Sequence, residues 1–154
     1  MCGIIGYVGR REAAPLLLEG LSRLEYRGYD SAGIGVLGPG GLFAVHKAVG
    51  KLDALRAALE GGLPAGTLGV GHTRWATHGR VSMANAHPQT DCGQRTVVVH
   101  NGIVENYLAL KEGLQRRSHR FLSQTDTEVL PHLIEEALGE GRGLAEAVRR
   151  AVEG

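Results

Sequence analysis

Apolar runs of only a few residues, repeatedly broken by glycine, constrain this chain more than any other feature. Runs such as Leu16-Leu17-Leu18 and Val97-Val98-Val99 are far too short to span a bilayer. They suit short strands and helices buried on one side. Glycine contributes 24 of 154 residues, a supply that predicts many tight turns and close backbone approaches. The length fits a single domain with a real core. Charged residues make up 21% and the formal net charge is +1, which leaves no electrostatic attraction for nucleic acid or anionic membrane. The N-terminus lacks the charged-then-apolar layout of a signal peptide, so a cytoplasmic location is expected. Two cysteines, Cys2 and Cys92, provide neither a disulfide framework nor a CxxC metal pattern, and both thiols are expected to be reduced.

The order of elements follows from periodicity. Residues 3 to 8 read as a buried strand, and from Glu12 the spacing of Ala13, Leu17, Leu21 and Leu24 makes an amphipathic helix stopping near Arg27, with Gly28 placed to cap it. Ala32 to Leu37 and Leu42 to Ala48 flank Gly38-Pro39-Gly40-Gly41 and predict a hairpin. Lys51 to Glu60 reads as a short helix. Thr67 to His72 reads as a strand whose alternate glycines imply a closely packed neighbour. Residues 73 to 95 carry no apolar period and read as a long polar loop, a place where function concentrates. Thr96 to His100 is the clearest strand. Helices are marked by Tyr107, Leu110 and Leu114, then by Leu130, Leu133, Ile134, Ala137 and Leu138, and finally by Leu144 to Val152; Thr125 to Glu128 has capping-box spacing before the second.

Several groups carry potential chemistry. Removal of Met1 would leave Cys2 with a thiol and a free α-amine on one residue, nucleophile and base together; the alternative is a small residue opening a strand. Asn101-Gly102 is either a two-residue hairpin turn or a carboxamide and a backbone N–H serving as donors to an oxyanion. Thr73-Arg74-Trp75-Ala76-Thr77-His78-Gly79 places a guanidinium, an indole and a hydroxyl in one loop, suited to gripping a small carboxylate or simply solvated. Asp126 at a helix start either complements the helix dipole or, paired with Arg74, recognises the two charged ends of an amino acid. His72, His78, His87 and His100 have spacings that match no metal pattern, so no metal is expected there. Arg27-Gly28-Tyr29-Asp30-Ser31 fits a helix terminus or a polar elbow beneath the first strand.

Taken together, Cys2-Gly3-Ile4, EYRGYDSAG (25 to 33), HTRWATHG (72 to 79), NAHP (85 to 88), HNGIVEN (100 to 106) and SQTDTEV (123 to 129) resemble the class II glutamine amidotransferases of the N-terminal-nucleophile type. The wording is that of the glutaminase domain in the glutamine–fructose-6-phosphate aminotransferase family. The resemblance runs from Cys2 to about residue 152. It implies an α+β fold, a four-layer αββα sandwich, and hydrolysis of glutamine through a Cys2 thioester without a cofactor. Asn101 and Gly102 would then stabilise the oxyanion. Arg74, Trp75, Thr77, His78 and Asp126 would hold substrate, with Trp75 gating ammonia, the loop from 74 to about 82 closing, and Arg27 and His87 in support. The phosphoribosyl-pyrophosphate amidotransferase type, whose loops are worded differently, and a non-catalytic glutamine-binding remnant are the alternatives. The family's glutaminase domain continues further and is followed by sugar-isomerase domains that bind fructose 6-phosphate. Residues 1–154 are therefore expected to form an incomplete glutaminase domain with an exposed sheet edge and a tendency to self-associate.

Overall fold

The computed structural model describes residues 2–28, 30–75 and 80–153, without the side chain of Arg27. Four strands form one antiparallel sheet: β1 (Gly3–Val8), β2 (Ser31–Leu37), β3 (Phe43–Val49) and β4 (Leu68–Arg74), in the order β1-β4-β2-β3. Two helices, α1 (Ala13–Leu24) and α2 (Leu52–Ala58), cover one face. The predicted period holds on α1, where Ala13, Ala14, Leu17, Leu18 and Leu21 are buried against Ala32, Ile34 and Val36 of β2. Burying each such Leu, Ile or Val stabilises the fold by roughly 1.5–3 kcal/mol. The alternate glycines of β4 have the expected role: a Cβ on Gly69 would lie 2.9 Å from Leu17 Cδ1, and one on Gly71 would lie 3.1 Å from Leu21 Cδ1. Side chains there would push α1 off the sheet.

The opposite face of β2 is also glycine. A Cβ on Gly33 would meet the His87 carbonyl oxygen at 2.1 Å, and one on Gly35 would touch Pro88 and Val97. A second, two-stranded antiparallel sheet, β5 (Gln89–Thr90) with β6 (Val97–Val98), therefore lies directly against the first. Beyond it are α3 (Tyr107–Arg116), α4 (Val129–Gly139) and α5 (Leu144–Glu153). Val98 packs with Leu114, Val129, Ile134 and Ala147 in two small apolar clusters. Helix, sheet, sheet, helix is the αββα layering the resemblance implies. Among the described residues no helix is long and apolar enough to cross a membrane. Strands β1 and β3 are the sheet edges, and Ile4 and Val8 on β1 are exposed.

Four local expectations are corrected. The strand expected over Thr96 to His100 is only Val97–Val98, because the flanking amides donate elsewhere: Arg95 N and Thr96 N to Asp91 Oδ1, and His100 N to His87 Nδ1. Thr125 and Glu128 do not form a capping box. Glu128 instead accepts from the amides of Leu122 and Ser123, and Thr125 N donates to Ser123 Oγ. Gly28 does not cap in the left-handed region; its backbone is extended (φ −163°) after a 3-10 turn, Glu25–Arg27. Asn101-Gly102 is not a hairpin turn, since the chain passes from it into α3.

Candidate active site

The registers bring the predicted chemistry to one end of the main sheet. Gly3 pairs with Thr73, which sets Cys2 beside Arg74 and Trp75. Trp75 N donates to Cys2 Sγ at 3.2 Å. A Cβ at Gly3 would collide with Leu24 and Thr73 Oγ1, so glycine next to the cysteine allows this strand end to seat. Gly28 presses in the same way on the Arg74 backbone, and Asp30 N donates to Arg74 O at 3.1 Å. Gly28 and Asp30 thus support the end of β4.

From the second sheet comes Asn101, whose Nδ2 donates to the Cys2 carbonyl at 3.2 Å. Its Oδ1 lies 2.9 Å from His72 Nε2. An amide oxygen can only accept, so His72 donates through Nε2, and that bond determines which way the carboxamide points its NH₂. Burial lowers the His72 pKa to about 4, keeping the ring neutral at pH 7, and its Nδ1 is buried without a partner. His87 stacks on it at 4.4 Å between ring centroids; burial and then the neighbouring His72 also push His87 far below the usual imidazole range. Gly102 is glycine because a Cβ there would lie 2.6 Å from His100 Nε2.

A cleft joins these groups to the helical layer. Cys2, Arg74, Trp75, Asn101, Gly102 and Asp126 all line it, as do His72, His87 and His100. Asp126 is buried at the first residue of a 3-10 turn, Asp126–Glu128, where Val104 N donates to its Oδ2 at 2.6 Å. Arg74 is also buried, and its Nη1 reaches the Arg80 carbonyl at 3.5 Å. Asn85 ties that loop to the Asp126 segment, donating to Arg80 O and accepting from Gln124 N. A cysteine sulfur, an oriented carboxamide, a guanidinium and a carboxyl group thus share one small space.

Of the predicted site residues, Cys2, Arg74, Trp75, His87, Asn101, Gly102 and Asp126 meet here. Thr77, His78 and the closing part of the loop lie outside the described residues, as does the Arg27 side chain. Sequence reasoning considered His72 and His100 only as metal ligands and missed the bond from His72 to Asn101. The one available signal was the position of His72 two residues before Arg74, on the same face of a strand.

Residues 56–144 match a family model described as a glutamine amidotransferase domain. The isomerizing glutamine–fructose-6-phosphate aminotransferase of Symbiobacterium thermophilum is 58% identical over 153 residues, covering 99% of this chain and 24% of that protein. Its counterpart in Thermus thermophilus is 58% identical over 154 residues, with 99% and 25% covered. The chain spans about a quarter of the length of these curated relatives. Among solved structures, the glutamine phosphoribosylpyrophosphate amidotransferase from B. subtilis complexed with ADP and GMP superposes with a TM-score of 0.80 at 28% identity, over 99% of this chain and 32% of that one. A structure titled as the allosteric regulatory enzyme of purine biosynthesis gives 0.81 at 28% identity, over 99% and 33%.

Proposed function

Because the chain belongs to the glutamine amidotransferase family, we propose that it hydrolyses glutamine to glutamate and ammonia through Cys2. The meeting of Cys2 Sγ and the Asn101 carboxamide in a cleft lined by Arg74 and Asp126 carries this reading. Removal of Met1 frees the Cys2 α-amine, which takes the thiol proton through water. The sulfur attacks the side-chain amide carbon of glutamine, and the tetrahedral oxyanion is held by Asn101 Nδ2 and the Gly102 N–H. The protonated amine gives its proton to the leaving nitrogen, ammonia departs and a thioester remains. Water, deprotonated by the same amine, releases glutamate. Arg74 binds the α-carboxylate and Asp126 the α-ammonium, with Thr77 and His78 beside them. Trp75 and the loop to about residue 82 close the cleft and direct ammonia, while Arg27 and His87 act in support.

The 58% identity to two aminotransferases, against 28% to the phosphoribosylpyrophosphate enzyme, favours a glutaminase domain that serves amination of fructose 6-phosphate. The sugar would bind elsewhere than on residues 1–154. The exposed edge strand β1 offers a route to self-association.

The test combines intact mass with glutamate release from glutamine. Chain lacking Met1 should turn over, and Cys2→Ala should reduce turnover by at least about a thousandfold. Equal turnover by the processed parent and by Cys2→Ala sinks the mechanism. Stabilisation by glutamine without any glutamate release points to a binding remnant instead.

A further inference from the structure

A second cluster of chemistry-bearing side chains lies outside the cleft. Cys92, in the turn after β5, meets His119, just past the end of α3, and His132 and Glu135, one turn apart on α4. One ligand atom from each lies within 4.8 Å of all the others. The two imidazole Nδ1 atoms are 3.2 Å apart, Glu135 Oε2 is 3.1 and 3.4 Å from them, and Cys92 Sγ is 3.9 and 3.8 Å from them. A tetrahedral zinc with bonds of about 2.0–2.1 Å to nitrogen and about 2.3 Å to sulfur has ligand–ligand edges of about 3.3 Å between N and O and about 3.6 Å to S. Five of the six edges match that shape to within a few tenths of an ångström, and the sixth, from Cys92 Sγ to Glu135, lies within 4.8 Å.

The surroundings favour a cation at the centre. Glu136 Oε1 is 3.2 Å from His119 Nε2 and accepts its proton, which turns the Nδ1 lone pair inward. Arg117 forks onto both oxygens of Glu136 and so holds the acceptor in place. His132 is 1% exposed and its Nε2 has no partner, which leaves Nδ1 as that ring's polar connection. Arg120 N donates to Cys92 Sγ at 3.4 Å, an outer contact that orients the sulfur. Without a cation, His132 can carry its proton on Nδ1 and donate to the His119 Nδ1 lone pair and to Glu135; a divalent ion displaces that proton and makes four bonds.

We propose that Cys92, His119, His132 and Glu135 form a structural site for a borderline divalent metal of the zinc type. Four protein ligands close the coordination shell, which marks a structural rather than a catalytic centre. The ion would fasten the β5–β6 turn to α4 and to the segment after α3 that leads to Asp126. It lies in the layer whose apolar clusters are small, where a cross-link adds most.

The test uses the purified chain, stripped of metal and then titrated with Zn²⁺ or Co²⁺. Expected are one equivalent bound against a micromolar-strength chelator, a rise in melting temperature with zinc, and a thiolate-to-cobalt charge-transfer band. That band should survive in Cys2→Ala and vanish in Cys92→Ser, and Glu135→Gln should weaken binding at least about tenfold. If Cys92→Ser fails to fold, the Glu135→Gln affinity and the band in Cys2→Ala still decide. No uptake, a band lost only in Cys2→Ala, or unchanged affinity in Glu135→Gln overturns the site.

Discussion

The two histidine clusters use the same side chain in opposite senses. At the cleft, the hydrogen-bond partners of His72, His87 and His100 are a carboxamide, a backbone amide and a threonine hydroxyl, and the rings serve to orient neighbours. Beside α4, His119 and His132 face each other together with a carboxylate and a sulfur, and their Nδ1 atoms converge. At His119 the partner of the outer ring nitrogen, Glu136, makes the difference, because it sets the tautomer and so decides whether the inner nitrogen donates or binds. Histidine count in a sequence says nothing about which.

Acid should break the cleft cluster most strongly. His72 has a folded pKa of about 4 against about 6.5 for an ordinary imidazole, so the unfolded chain takes up its proton first as pH falls. The stabilisation from the neutral ring is intact above about pH 6.5 and is lost as pH falls toward about 4. The slope is on the order of 1.4 kcal/mol per pH unit, about 3 kcal/mol across the window, and His87 shifts in the same direction. Denaturant melts from pH 7 to 4, in chelator, should show this slope, and His72→Gln should flatten it by about that amount. A parental slope in His72→Gln removes the titration from His72.

The next largest effect is kinetic. His72→Phe keeps the bulk but leaves Asn101 Oδ1 without its donor, so the carboxamide is free to turn. A fall in kcat of about a hundred- to thousandfold is expected, with KM for glutamine changed only a few fold, as for loss of one oxyanion donor. His72→Gln supplies an N–H again and should recover part of the loss, whereas Cys92→Ser should leave kcat within about threefold. Equal losses of kcat in His72→Phe and His72→Gln would make the ring mere packing. A smaller effect separates the layers: Gly33→Ala drives a methyl into the His87 carbonyl at 2.1 Å and should cost about 1–3 kcal/mol, while Gly6→Ala, with nothing within 4 Å, should fall within about 0.5 kcal/mol of the parent in a urea melt.

The same contrast explains what was legible in the sequence. Elements held by periodic apolar contacts were read closely: α1 from Ala13 to Leu24, the β2–β3 hairpin across Gly38 to Gly41, and β4 with its glycines. Elements held by side-chain-to-backbone bonds were not, since Asp91 and His87 divert amides that a propensity argument assigns to a strand. The cleft was legible through dense local motifs such as HTRWATHG and HNGIVEN. The Cys92 cluster joins residues 27, 13 and 3 positions apart on three elements, and only the fold brings them together. Its one local trace, His132 and Glu135 at helical spacing, is common on any helix.

The smallest predicted effect probes how far the tautomer argument reaches. Arg117 touches no ligand; it pairs with Glu136, which in turn accepts from His119 Nε2. An exposed ion pair of this kind contributes at most about 1 kcal/mol to stability, so Arg117→Gln should hardly move the melting temperature of the metal-free chain. Glu136 would remain ionised at neutral pH but would no longer be clamped, and His119 would hold its inward lone pair less firmly. Zinc affinity should fall by up to about tenfold, and Glu136→Gln should weaken it further, in the range of outer-shell substitutions. If both variants bind zinc as the parent does, the partner of Nε2 does not set the His119 tautomer, and the contrast between the two clusters rests on Glu135 and Cys92 alone.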